Sequence, residues 1–137
     1  MTSTHVVMFI SGEPTHRKLY VDALQRLNVL PVWVDTVRDA PRLLAQFRVA
    51  AIVVHVSAAD EVSQSAKFVS ALSPSPVILL GSPGWRSSTH IELAFEAGCA
   101  AVVTEPCTPS IIAAVVKRSI AGERRIQWPN PLCVDAS

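Results

Sequence analysis

Two ionisable residues stand at the ends of apolar runs, where strands would deliver them to one edge of a sheet. His55 ends the run 49–56, Val-Ala-Ala-Ile-Val-Val-His-Val, and Glu105 follows the run 100–103, Ala-Ala-Val-Val. An imidazole titrates near neutral pH, so His55 has the chemistry of a base or a phosphate acceptor. With no second catalytic group evident, its expected role is to fill a pocket and bond a loop carbonyl or Glu105. Cys107, just past Glu105-Pro106, has the chemistry of a nucleophilic or redox thiol close to His55, but a surface or half-buried cysteine without function is the expectation. The stretch 81–88, Gly-Ser-Pro-Gly-Trp-Arg-Ser-Ser, has the small residues of a phosphate-cradling loop. It lacks that loop's spacing and lysine and reads as a turn, with Trp85 a packing lid or a partner anchor. Cys99, Cys107 and Cys133 fit neither a zinc spacing nor a CxxC redox motif, so no metal and no cofactor are expected.

The totals narrow the classes further. A chain of 137 residues builds one domain with its own core and needs no staples. Twelve basic and eleven acidic residues are scattered to a net charge of +1, which leaves no electrostatic footprint of a nucleic-acid binder. The local excess at Lys117, Arg118, Arg124 and Arg125 is what a helix carboxyl terminus attracts by its dipole. No apolar run approaches the ~20 residues that cross a bilayer, and the start lacks a basic signal region, so a soluble cytoplasmic protein is expected.

The elements that must position these groups alternate from end to end, which favours a parallel sheet with crossover helices. The run 5–10 is an unbroken apolar strand, suited to burial on both faces. Pro14 opens a helix whose Leu19, Ala23, Leu24 and Leu27 recur at helical spacing and which Asn28 ends. Residues 30–34 make a second strand, with Pro31 placing it at a sheet edge. A short helix carrying Leu43, Leu44 and Phe47 follows. The β-branched run 49–56 is the expected central strand. A helix over 60–72 and a strand over 77–80 come next, then a fourth helix with Ile91, Ala94 and Phe95 that Gly98 terminates. The fifth strand is 100–103, and the fifth helix, 109–121, offers Ile111, Ala114, Val115 and Ile120 as its buried stripe. Residues 1–121 are thus the domain, and 122–137 a proline-containing tail or truncated linker.

With the units laid out, residues 5–121 resemble the receiver domain of bacterial two-component response regulators. The carrying residues are Val6-Val7-Met8-Phe9-Ile10 with Glu13-Pro14, then Pro76-Val77-Ile78-Leu79-Leu80, and Ala94-Phe95-Glu96-Ala97-Gly98-Cys99-Ala100 running into Glu105-Pro106. The resemblance implies an α/β fold, a doubly wound (βα)5 flavodoxin-like sheet of strand order 2-1-3-4-5.

It also implies phosphoryl transfer from a histidine kinase to an aspartate beside a divalent metal, and this sequence departs from that chemistry. The family's acidic pair falls on Ser11 and Gly12, its phosphoacceptor on His55, its hydroxyl on Gly81 and its lysine on Glu105, while Glu13 alone survives from the acidic cluster. The aromatic switch within the fifth strand is Val102. A carboxylate in place of the lysine reverses the charge where a phosphoryl group would sit. The expected function is therefore that of a degenerate receiver, a pseudo-receiver that is not an enzyme and signals by protein contact without aspartyl phosphorylation. In the resemblance, a signalling partner or a homodimer would use the face of the fourth helix, fifth strand and fifth helix, with Ile112 and Val116 on it and Trp85 and His90 at its border. The alternatives are a small-ligand sensor using His55, Glu105 and Ser11 in the crevice at the strands' carboxyl ends, or the receiver part of a DNA-binding regulator whose output domain is absent from this chain. Nucleic acid is a partner in that last case only.

Overall fold

The sheet holds six parallel strands: β1 (His5–Ile10), β2 (Val29–Val34), β3 (Ala51–Val56), β4 (Val77–Gly81), β5 (Ala101–Thr104) and β6 (Ile126–Trp128). Their order is β2-β1-β3-β4-β5-β6. The computed structural model describes residues 4–56, 71, 74–82 and 88–129, with the backbone alone from 88 to 90. The helix expected over 60–72 therefore lies outside the described residues save Ala71, as do Trp85 and Cys133. The described helices are α1 (Pro14–Arg26), α2 (Ala40–Leu44), α3 (Ser88–Glu96) and α4 (Pro109–Ile120), with a 3-10 turn at Val37–Asp39. Here α3 and α4 are the helices expected as fourth and fifth. None of them is long and apolar enough to cross a membrane.

Unbroken apolar runs become interior strands because both faces of the sheet are covered. Alternate side chains of β1 enter opposite cores. Met8 and Ile10 join Ala40, Ile91 and Ala94 on the side of α2 and α3, while Val7 and Phe9 join Tyr20, Leu24, Ile112 and Val116 on the side of α1 and α4. Each fully buried side chain of this size contributes roughly 1.5–3 kcal/mol. The strand with Pro31 is at the edge, as its missing amide donor requires. Gly98 ends α3 at φ 107°, a conformation that costs glycine little and other residues much. Thr108 starts α4 as its N-cap, its hydroxyl accepting from the Ile111 amide at 3.4 Å, with Pro109 next.

Three expectations are corrected by the packing. First, of the expected stripe Leu19, Ala23, Leu24 and Leu27, Leu24 is buried and Leu27 packs against the core, but Leu19 is exposed and Tyr20 and His16 are buried in its stead. Second, α4 buries Ile112, Ala113, Val115, Val116 and Ser119, and Ala114 faces outward. Ile112 and Val116, expected on an interaction face, are in the core, and Val102 lies in the opposite core beneath α3. A partner cannot reach these three in the folded domain. Third, part of the expected tail belongs to the sheet: β6 pairs in parallel with β5, Ala101 opposite Ile126 and Val103 opposite Trp128.

Candidate functional site

Parallel strands joined by crossovers bring their carboxyl ends to one edge, and the chemistry of such sheets gathers there. Ser11 follows β1, His55 is the penultimate residue of β3, Gly81 ends β4 and Glu105 follows β5. The first turns of α1 add His16 over the same edge.

Glu105 is the hub. Its Oε2 lies 2.9 Å from His16 Nε2 and its Oε1 3.2 Å from His55 Nε2. The two imidazoles meet edge to face, ring centroids 4.5 Å apart. The Ser11 hydroxyl, 2.8 Å from His16 Nδ1, fixes the far side of that ring and accepts from the Glu13 amide at 3.2 Å. Side-chain exposure is 7% for His16, 8% for His55 and 15% for Glu105, so the cluster is largely shielded from water. Burial holds the His55 pKa below the ordinary histidine value, with His16 pushing the same way, against the opposing pull of Glu105 and Glu13. A neutral His55 then donates Nε2–H to the carboxylate, a charge-assisted hydrogen bond.

The contact from His55 to Glu105, expected from the sequence, is present. His16 was not singled out from the sequence, although it lies at i−3 and i−7 from Leu19 and Ala23, on the same side of α1 as the leucine stripe. The pattern His16, Tyr20, Leu24, Leu27 at i, i+4, i+8, i+11 is an equally regular stripe, and it carries the histidine inward. The position taken for the family's hydroxyl, Gly81, is buried in β4, and the next residue, Ser82, has its Oγ 3.4 Å from His55 Nε2. Gly12 and Glu13 are exposed, Glu13 as the N-cap of α1 without a side-chain capping bond. Of the residues expected to border an interaction face, Trp85 lies outside the described residues, and His90 is placed in α3 by its backbone alone.

Cys107 stands beside this cluster, its Sγ 3.7 Å from the Tyr20 hydroxyl. Burial pushes its thiol pKa up, with Glu105 adding to the rise against the Tyr20 hydrogen bond, and burial pushes Cys99 up to about 12. Thiolates are the reactive species, so both shifts lower the reactivity expected of Cys99 and Cys107 in the native fold. With peptide-resolved iodoacetamide labelling at neutral pH, each is expected to react more than about tenfold slower in the native protein than after unfolding. Fast native labelling of Cys107 would revive a nucleophilic role.

No protein-family model matches the chain, and no curated protein does. Solved structures do. The fold is similar to a response regulator from Thermotoga maritima, with TM-score 0.74 and 17% identity over 87% of this chain and 99% of that one. It is similar to a LuxR family DNA-binding response regulator from Silicibacter pomeroyi, with TM-score 0.75 and 21% identity over 92% and 98%. The signal receiver domain of a signal transduction histidine kinase from Syntrophus aciditrophicus gives TM-score 0.71 and 22% identity over 93% and 98%. The chain has the receiver-domain fold. A shared receiver fold does not carry the family's chemistry with it, because chemistry resides in the site.

The magnesium that receiver chemistry uses is a poor match for this edge. Magnesium takes oxygen ligands in near-octahedral geometry, usually carboxylates and water. This receiver edge instead assembles two imidazole nitrogens around one carboxylate, with Ser11 and exposed Gly12 where acidic ligands would be needed. The donor set does not fit that ion.

Proposed function

We propose that this chain is a receiver-fold signalling module that works by protein contact and without aspartyl phosphorylation. The observation that supports this reading is the cluster at the carboxyl edge. At the expected phosphoacceptor position stands His55, and at the expected lysine position stands Glu105, the two bonded to each other at 3.2 Å. A phosphoryl group at that edge would face a carboxylate with no compensating lysine, and charge repulsion opposes it. The proposal includes a cytoplasmic location and no catalytic turnover. It does not include the expected homodimer, whose named residues Val102, Ile112 and Val116 are buried. The partner is a signalling protein that meets the exposed surface, where Leu19, Leu30, Phe47 and Leu93 are the exposed large apolar side chains among the described residues.

Incubation with a small-molecule acyl phosphate and magnesium tests the reading. The expected result is no stable phosphoryl adduct by intact-mass spectrometry and no magnesium-dependent change in tryptophan fluorescence. An acid-stable, hydroxylamine-sensitive adduct would refute it.

A further inference from the structure

We propose that His16, His55 and Glu105 form a binding site for a divalent transition metal of the zinc class. The inference is independent of how the module signals, since it concerns only the chemistry of the three side chains.

Three features carry it. The first is the donor set. Two imidazoles and one carboxylate are borderline ligands that suit zinc and its neighbours and disfavour magnesium and calcium. The second is geometry. The ligating atoms of the three residues all lie within 4.8 Å of one another, and the two contacts to Glu105 are 2.9 and 3.2 Å. A tetrahedral ion with bonds of ~2.0–2.1 Å to nitrogen and oxygen has ligand-to-ligand edges of roughly 3.3 Å. The two short contacts use different oxygens of Glu105, so ion binding requires side-chain rotation that gathers the three ligand atoms, now within 4.8 Å of one another, to that spacing. The ligands come from α1, from β3 and from the segment after β5, so the fold, rather than a local loop, sets the spacing.

The third feature is support around the ligands. A metal-bound histidine holds its ring by donating from its other nitrogen, which orients it and raises its basicity. Ser11 Oγ, 2.8 Å from His16 Nδ1, is placed for this. A hydroxyl can donate to Nδ1 while Nε2–H bonds Glu105, then rotate and accept from Nδ1–H in the other tautomer, in which the ring proton has passed through solvent from Nε2 to Nδ1 and Nε2 is free for the metal. Charge favours a cation as well. Glu105 is the one acidic ligand of the three, and among the described residues its close contacts to basic side chains are with the two histidines. Three protein ligands are the number at which zinc keeps a fourth position for water or a partner's group.

The test uses the full chain, stripped with a chelator and titrated with Zn2+ against a chromophoric competitor, then with Co2+ as a spectroscopic probe. The expected result is one equivalent of Zn2+ bound with Kd tighter than about 10 µM, undisturbed by millimolar Mg2+. The Co2+ form is expected to show the visible bands of a low-coordinate nitrogen and oxygen site without a thiolate charge-transfer band, and Cys107→Ser should leave binding unchanged. His16→Gln, His55→Gln and Glu105→Gln should each weaken binding more than about 100-fold, and Ser11→Ala about 10-fold. Circular dichroism of the metal-free variants checks that they fold. Wild-type affinity weaker than about 10 µM overturns the site whatever the variants do. So does a thiolate band, or binding that survives all three ligand substitutions.

Discussion

Glu105→Ala is expected to lower the stability of the metal-free protein by about 2–4 kcal/mol at neutral pH, read as the shift in urea-unfolding midpoint multiplied by the unchanged slope. The carboxylate accepts from His16 Nε2 and His55 Nε2, both nearly buried. Its removal strands the His16 Nε2 donor and leaves His55 Nε2 with only the Ser82 hydroxyl at 3.4 Å, and a stranded buried donor costs about 1–3 kcal/mol. The partial exposure of Glu105 lets water recover some of this, which keeps the figure below the sum of two full penalties. The same arrangement makes the losses interdependent. Once Glu105 is alanine, His55→Ala removes a group that has already lost its partner, so the double variant should be more stable than the sum of the singles by about 1 kcal/mol or more. Additivity within about 0.3 kcal/mol would mean that the cluster does not act as a unit. Glu105→Lys, which supplies the lysine that receiver chemistry uses, should be worse than alanine, because it sets a cation against His16 and His55 in place of their acceptor.

The parts of this molecule that could be read from sequence are those written in contiguous residues. Interior strands are unbroken apolar runs, the edge strand carries Pro31, and Gly98 marks the end of α3, so the layering and the edge place of β2 followed from local signals, while the full strand order came from the receiver resemblance. His55 and Glu105 were legible because each sits at a strand end, where chain direction alone fixes the sheet edge it reaches. The faces of helices were harder. In α1 two stripes compete, one through Leu19 and Ala23 and one through His16 and Tyr20, with Leu24 and Leu27 common to both. Hydrophobicity favours the first. Tertiary packing chooses the second, since Phe9 on β1 lies 5.6 Å from Tyr20 and 6.4 Å from His16 between ring centroids, and Glu105 receives the histidine's far edge. In α4 the run Ile111-Ile112-Ala113-Ala114-Val115-Val116 is apolar on every side, so periodicity could not decide which residues face the sheet. That ambiguity turned core residues into an expected interface.

Ile126→Ala is expected to cost about 2–3 kcal/mol, although it lies in a segment whose composition reads as a tail. Three residues between Arg125 and Pro129 are too few to show a strand period, yet the sheet claims them. Ile126 is 5% exposed and packs in the core shared by α1 and α4. Its amide donates to the Ala100 carbonyl at 3.1 Å, and the Trp128 carbonyl accepts from the Thr104 hydroxyl at 3.5 Å. The approach to β6 is held by Arg125, whose guanidinium meets both Glu92 carboxylate oxygens at 2.6 Å and lies 4.9 Å over the Phe95 ring, tying the segment to α3. Ending the chain at Ala121 should therefore do more than shorten it. It uncovers the ladder of β5 and the apolar cluster beneath Ile126, and an unpaired edge of this kind recruits other chains. The truncated protein is expected to melt lower than Ile126→Ala and to self-associate at concentrations where the 137-residue chain does not, by light scattering. A truncation that melts within a degree or so of the parent, with Ile126→Ala costing under about 0.5 kcal/mol, would show β6 to be an ornament on a five-stranded sheet.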